Sequence, residues 1–355
     1  MIYASNPFFI WGLMREFARP RVIVSKCLEF DHCRYNGDII RSPIVAKLRE
    51  YVDFLPVCAE MEIGLGVPRK PVRIILDKGV QQLVQPATGR DVTEDMKTFC
   101  TDFLDSASDV DGFILKFRSP SCGIKDVKVY PTTGKSGAIE KTSGFFGKAV
   151  LGRYPFLPIE DEGRLRNARI KEHFLTKLFT LAAFRKTKSE GSMKGLIKFH
   201  TENKYLLMAY NQAELRKMGT IAANKENKPF KELISEYETH LYRAFSMPLK
   251  YSSSINVLMH AFGHFSDQLL SREKTLFLDW IQKYREGKTS LCPSINIIRS
   301  WIVRFEDQYL MQQTFFEPYP EDLLEVDPVE SQLREDLWKG VLLGDLSNGN
   351  NLRNG

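Results

Sequence analysis

The chain reads as two folds in succession: an α/β domain built mainly on a parallel sheet with flanking helices, then an all-α domain. Three observations carry this reading. Short apolar runs (Val22 to Val24, Phe54 to Val57, Phe113 to Leu115) punctuate the first part, each cut off by a polar or Pro/Gly-containing turn. Beyond about residue 192 no strand pattern persists, and apolar residues recur at helical spacing. A length of 355 residues is comfortable for two domains, each with its own core.

Each element follows from local chemistry. Val22-Ile23-Val24 runs into Ser25-Lys26-Cys27 and a polar loop closed by Asn36-Gly37, a turn signal. Pro43 opens a short amphipathic helix bearing Ile44, Val45 and Leu48, which leads to the second strand and Cys58, completing a βαβ unit. Val72 to Leu76 and Gln82 to Val84 flank Asp77-Lys78-Gly79 as a hairpin beside the main sheet. Thr93-Glu94-Asp95 starts a helix with Met96, Phe99, Cys100, Phe103 and Leu104 on one face. The Phe113 strand ends in Ser119-Pro120-Ser121-Cys122-Gly123. From Gly134 to Gly152, richness in Gly, Lys, Ser and Thr predicts an exposed, mobile connection able to close over a site. A helix carrying Phe174, Leu178, Leu181 and Phe184 follows, and Arg185 to Gly191 reads as the linker. The second half predicts a helix from Tyr205 to Met218, then stripes at Leu233–Phe245, Ile255–Phe265, Leu276–Tyr284 and Ile297–Phe305.

The expected organisation is an extension over 1–15, an α/β domain over 16–185, a basic helical domain over 186–325 and an acidic, disordered tail over 326–355. Pro7 interrupts the apolar start, which lacks a cationic flank and is too short to span a bilayer, so no membrane role is expected. Six cysteines without a secretory signal fit a reducing cytoplasm.

Cys27, Cys58 and Cys122 each follow a strand end, so parallel strands can gather three thiolates at one sheet edge. A structural zinc site would show a close Cys-x2-Cys pair, absent here; three separate loops fit an iron-sulfur cluster with one iron left open, although spacing alone does not name the metal. Cys33 is a fourth candidate ligand, while Cys100 and Cys292 read as ordinary buried thiols. His260 and His264 lie one helical turn apart, but Ala261 stands where a hydrolytic His-Glu-x-x-His motif needs Glu, so they read as polar helix positions. Charge is uneven: residues 163–310 carry a net +11, against +1 before and −6 after. Such an excess is a usual footprint of a polyanion partner and equally fits a merely soluble helical surface; Arg185, Lys186, Lys188, Lys194, Lys198, Lys204, Arg216 and Lys217 are the candidate contacts for a polyanion such as RNA.

The blocks VSKCLEF with RYNG, FLPVCAEMEIGLGVPR and FILKFRSPSCG resemble the thiouracil desulfurase (TudS) family over roughly residues 20–180. HTENKYLLMAYN, EKTLFLDWIQKYREGK and YLMQQTFFEPYP are similar to the YbgA-like helical domain. The combination resembles fused desulfidases of the RudS type, which remove sulfur from 4-thiouridine in transfer RNA. The resemblance implies a [4Fe-4S] cluster on Cys27, Cys58 and Cys122 with one iron free for the substrate sulfur, and Glu60 and Ser119 as catalytic residues. Lys116 is a further catalytic candidate. It also implies a tRNA or thiolated nucleobase substrate. Ala59 and Phe117 depart from the family pattern, where Pro and a small residue are common.

Overall fold

The computed structural model describes residues 15–134 and 136–324. The expected extension, apart from its last residue, and the expected acidic tail lie outside the described residues. Through Tyr319 they belong to one compact unit; of a second, beginning at Pro320, the described part is a single turn, Glu321–Leu323.

Among the described residues nine strands make two sheets. β1 (Arg21–Ser25), β2 (Asp53–Val57), β6 (Gly112–Leu115) and β9 (Ile159–Asp161) form an all-parallel sheet in the order β2-β1-β6-β9. All four residues of β6 and four of five in β1 are buried, the near-continuous apolar run expected of a parallel strand covered on both faces. β3 (Arg73–Asp77), β4 (Val80–Gln85), β5 (Arg90–Asp91), β7 (Val127–Tyr130) and β8 (Glu140–Thr142) form the second sheet, in the order β5-β4-β3-β7-β8. The predicted hairpin is β3 and β4, paired antiparallel from Arg73↔Val84 to Asp77↔Val80.

Four helices accompany the sheets: α1 (Pro43–Leu48), α2 (Ala59–Glu62), α3 (Thr93–Ser106) and α4 (Phe145–Arg153). α4 corrects the expectation of a mobile connection. Phe146 and Val150 are fully buried, and the glycines that suggested mobility permit close packing instead. A Cβ on Gly144 would lie 2.6 Å from the carbonyl oxygens of Ser119 and Ser121, and one on Gly147 would lie 2.4 Å from that of Gly123.

α5 (Ala168–Glu190) corrects the predicted linker. Asn167 caps it by accepting from the amides of Arg169 and Ile170, and it ends at Gly191 in the left-handed region, φ 65°. The polar run 185–191 is thus the last turns of this helix plus a C-cap, with Lys186, Lys188, Ser189 and Glu190 exposed and Thr187 buried. Leu178 packs against Gly112 of β6, while Leu181 and Phe184 belong to the helical core, so one helix serves both parts.

The helical part continues with α6 (Met193–Glu202), α7 (Lys204–Tyr210), α8 (Gln212–Ala223), α9 (Phe230–Ala244), α10 (Tyr251–Gly263), α11 (Ser271–Arg285), α12 (Cys292–Phe305) and α13 (Gln308–Met311). The helix expected over Tyr205 to Met218 is two. Asn211 adopts extended backbone and accepts from the amides of Ala213 and Glu214, which ends α7 and starts α8. No helix among the described residues is long and apolar enough to cross a membrane.

Candidate active site

Parallel pairing sets the site. Ser25 is in register with Val57, and Val24 with Ile114, so β2, β1 and β6 lie side by side and end at one edge. Cys27, Cys58 and Cys122 follow those ends as free thiols. Cys33, in the loop after β1, touches the thiols of both Cys27 and Cys58, and Cys58 donates to the Cys33 carbonyl at 3.8 Å. The hydrogen bond to Cys27 is the leading cause that lifts Cys33 to about 11. Contact with Cys33, then burial, raises Cys58. Burial first of all pushes Cys122 up to about 12.

The Cys122 turn is held from two directions. Ser119 Oγ accepts from the amides of Ser121 (3.2 Å) and Cys122 (3.1 Å), and Gly123 N donates to Ser119 O at 2.8 Å. From α4, Gly144 N donates to Gly123 O (2.7 Å), Phe145 N to Pro120 O (3.1 Å) and Gly147 N to Ser121 O (3.1 Å).

Glu60 sits in α2, which starts directly after Cys58, with its carboxylate held at both oxygens. Ser121 Oγ donates to Oε1 at 2.8 Å; Nε and Nη2 of Arg69 each lie 2.8 Å from Oε2. Lys116 follows β6; its amide donates to Ser25 Oγ at 2.9 Å and its ammonium pairs with the buried Glu162 carboxylate. Lys116 and Phe117 line a cavity of about 620 Å³ with Arg34, Arg41, Lys125 and Arg166 among its walls. In β9, burial raises the carboxyl of Asp161, whose Oδ2 has no hydrogen-bond partner among the described residues.

Ser121, Arg69 and Glu162 were not predicted. Ser121 lay in the predicted motif, but sequence does not say which of two serines reaches across; Arg69 and Glu162 meet their partners only through the fold, 9 and 46 residues away.

Among the described residues no three His, Cys, Asp or Glu side chains converge on a position for a single metal ion. Cys27, Cys58 and Cys122, after the ends of three adjacent strands, are soft donors of the kind that could hold a polynuclear iron-sulfur cluster, one thiolate to an iron. His260 and His264 do not form a metal pair: His260 is exposed, and His264 bonds Asp307 (3.0 Å) and Tyr205 (3.2 Å). Cys100 is buried as expected, but Cys292 is exposed at the first turn of α12, because its helix turns this position outward.

The basic candidates divide. Arg185 bonds Asp111 at 2.9 Å and the Arg19 carbonyl at 2.9 Å, an internal tie rather than a free contact. Lys188 pairs with Glu238 (2.9 Å), Lys217 with Glu214 (2.8 Å) and Lys198 with Glu202 (3.9 Å). Lys186 lines a cavity of about 1040 Å³, and Lys194, Lys204 and Arg216 are exposed.

Fold and site thus define an α/β protein with thiols and a held carboxylate after the carboxyl ends of parallel strands, joined to a helical part. Residues 22–162 match the 2-thiouracil desulfurase family and residues 204–320 a protein family of unknown function, DUF1722. The chain is 35% identical to YbbK of Bacillus subtilis (strain 168) over 109 residues, 29% of this chain and 72% of that protein. It is 27% identical to YbgA of Escherichia coli (strain K12) over 154 residues, 43% of this chain and 91% of that protein. A solved structure of a [4Fe-4S]-dependent thiouracil desulfidase, TudS, is similar over 42% of this chain and 94% of its own, at 28% identity and TM-score 0.34. The chain belongs to the 2-thiouracil desulfurase family through its α/β part, fused to a YbgA-like helical part.

Proposed function

We propose that the protein is a non-redox desulfidase that converts 4-thiouridine in transfer RNA to uridine, with a [4Fe-4S] cluster held by Cys27, Cys58 and Cys122. The observation that supports this reading is that three cysteines follow the ends of three adjacent parallel strands, beside a doubly anchored carboxylate, in a chain of the thiouracil desulfurase family. Bound there, the cluster would supply a soft Lewis acid for a thiocarbonyl sulfur. Glu60 receives one proton of the attacking water at Oε1, which accepts only from Ser121 and keeps a free acceptor site, whereas Oε2 takes both Arg69 nitrogens. Ser119 accepts two amides and keeps its own hydroxyl proton to donate toward charge developing beside Cys122. Lys116, paired with Glu162, supports the cavity wall. The reaction balances without electrons: water gives its oxygen to the ring carbon, the carbon–sulfur bond breaks, and sulfur leaves as hydrosulfide with one proton, the other passing through Glu60 to solvent.

The exposed cations Lys194, Lys204 and Arg216 support docking of a phosphate backbone. Nucleoside analysis of thiolated transfer RNA after anaerobic incubation tests the reading: 4-thiouridine falls, uridine rises, and sulfide is released in equal amount. Unchanged 4-thiouridine overturns it. The family description favours a second reading, desulfuration of free thiolated pyrimidines, which predicts faster turnover of thiouracil than of thiolated transfer RNA.

A further inference from the structure

The Arg69 side chain is 4% exposed, and its guanidinium bonds run to separate segments of the chain. Nε and Nη2 hold one oxygen of Glu60 at 2.8 Å each. Nη1 donates to the carbonyls of Cys33 (3.0 Å) and Gly66 (2.9 Å) and lies 3.8 Å from Met61 Sδ. The Arg69 amide also donates to the Tyr35 carbonyl at 2.8 Å. One side chain therefore joins the carboxylate after the second cysteine to the loop that leaves the first.

The geometry points to Arg69 as the positioning residue of this site: it fixes Glu60 relative to the Cys27–Gly37 loop, so that the carboxylate and the thiol-bearing loop keep one relative placement. The inference rests on the reading of Glu60 as the proton acceptor. Arg69 does not touch substrate in this role; it acts through Glu60 and the Cys33 carbonyl. A rigid planar fork is needed, because the two acceptors lie on different sides of the guanidinium. Lysine keeps the charge but offers one nitrogen, which cannot satisfy Glu60, Cys33 and Gly66 together. Freed of the fork, Glu60 keeps only the bond from Ser121.

The test compares wild type, Arg69→Lys and Arg69→Ala, with two readouts. In the metal-free, reduced protein, alkylation of Cys33 by iodoacetamide is timed by mass spectrometry, with Cys100, buried in α3, as an internal control for intact folding. Arg69→Lys is expected to speed Cys33 modification roughly 10-fold and leave Cys100 unchanged. In the anaerobically loaded protein, with iron content matched, kcat on thiolated transfer RNA should fall on the order of 100-fold with KM within a few-fold, and methylguanidinium should restore part of the loss in Arg69→Ala. Equal Cys33 protection together with wild-type kcat in Arg69→Lys overturns the role of Arg69 alone. A wild-type protein that loads iron but turns over no thiolated substrate overturns the desulfidase reading, whatever the alkylation rates show.

Discussion

Ser121 donates its hydroxyl to Oε1 of Glu60 at 2.8 Å, joining the turn of the third cysteine to the helix that follows the second. Two strand ends of the sheet are thus tied through a catalytic candidate rather than through backbone alone. Ser119, two residues earlier, faces its own turn and accepts from the Ser121 and Cys122 amides.

The two serines should therefore fail differently. Ser121→Ala removes one anchor of Glu60 and is expected to lower turnover roughly 10-fold with iron content unchanged. Ser119→Ala leaves two amides without their acceptor and removes the proposed hydroxyl donor, so beside lower turnover it should cost about 1–3 kcal/mol, read as a lower denaturant midpoint and poorer iron retention. Steady-state kinetics beside denaturation curves separate the two, and identical behaviour would contradict the division of roles.

Gly147→Ala forces a methyl carbon against backbone, 2.4 Å from the Gly123 carbonyl and 2.8 Å from that of Cys122. Neither atom is the end of a flexible side chain, so helix α4 must withdraw from the cysteine turn. A loss of about 1–3 kcal/mol in chemical denaturation is expected, with faster thiol labelling at Cys122. Gly152, where an added methyl carbon would meet no atom within 4 Å, is the control: Gly152→Ala should leave both measurements near wild type.

Lys177, buried in α5, is pushed down to about 8 by burial, against 10.5 for a free lysine. Below pH 8 both folded and unfolded chains hold the proton and the full penalty applies; between about 8 and 10.5 the unfolded chain holds more protons, so stability from this group rises with pH. Lys177→Met should accordingly stabilise the protein by on the order of 1–3 kcal/mol at pH 7 and by less at pH 10. His173, one turn away, is lowered to about 4 by burial and then by the Lys177 charge. It subtracts stability as pH falls from 6.5 to about 4, and Lys177→Met should flatten that acid-side loss. Thermal melts of both proteins from about pH 5 to pH 10 check the sign, and a variant less stable at pH 7 would contradict it.

Arg185 and Lys204 separate structure from docking. Arg185→Gln takes the ion-pair partner from the Asp111 carboxylate, 4% exposed, leaving it the Arg21 amide at 2.8 Å, and should cost on the order of 2 kcal/mol without altering the salt dependence of RNA binding. Lys204→Gln should leave stability intact and reduce the slope of log affinity against log salt by about 1 if it meets a phosphate. Filter binding across a salt series decides between them.

What sequence made legible follows from how local each signal is. The three strand-end cysteines were readable because apolar runs and the Pro and Gly that stop them are local features, and parallel pairing then leaves little choice of edge. The segment around Phe146 was misread because glycine signals either freedom or close approach, and only the carbonyls of the cysteine turn, more than twenty residues upstream, decide which. The linker at 185–191 was misread because the partner of Arg185, Asp111, is 74 residues away. Asn211 is the reverse case: its cap sits inside an apolar stripe whose helical periodicity runs on through it, so spacing alone predicts one helix where the fold has two. Arg69 was beyond local reading altogether, since its value lies in joining Glu60 to Cys33.

The central claim is that Cys27, Cys58 and Cys122 together hold an iron-sulfur cluster. Anaerobic iron, acid-labile sulfide and zinc analysis of the wild type and of Cys27→Ser, Cys58→Ser and Cys122→Ser tests it most directly. About four irons and four sulfides per wild-type chain, with a marked loss in each variant, is the predicted result. Zinc in place of iron, or iron retained undiminished when these cysteines are replaced, would contradict it.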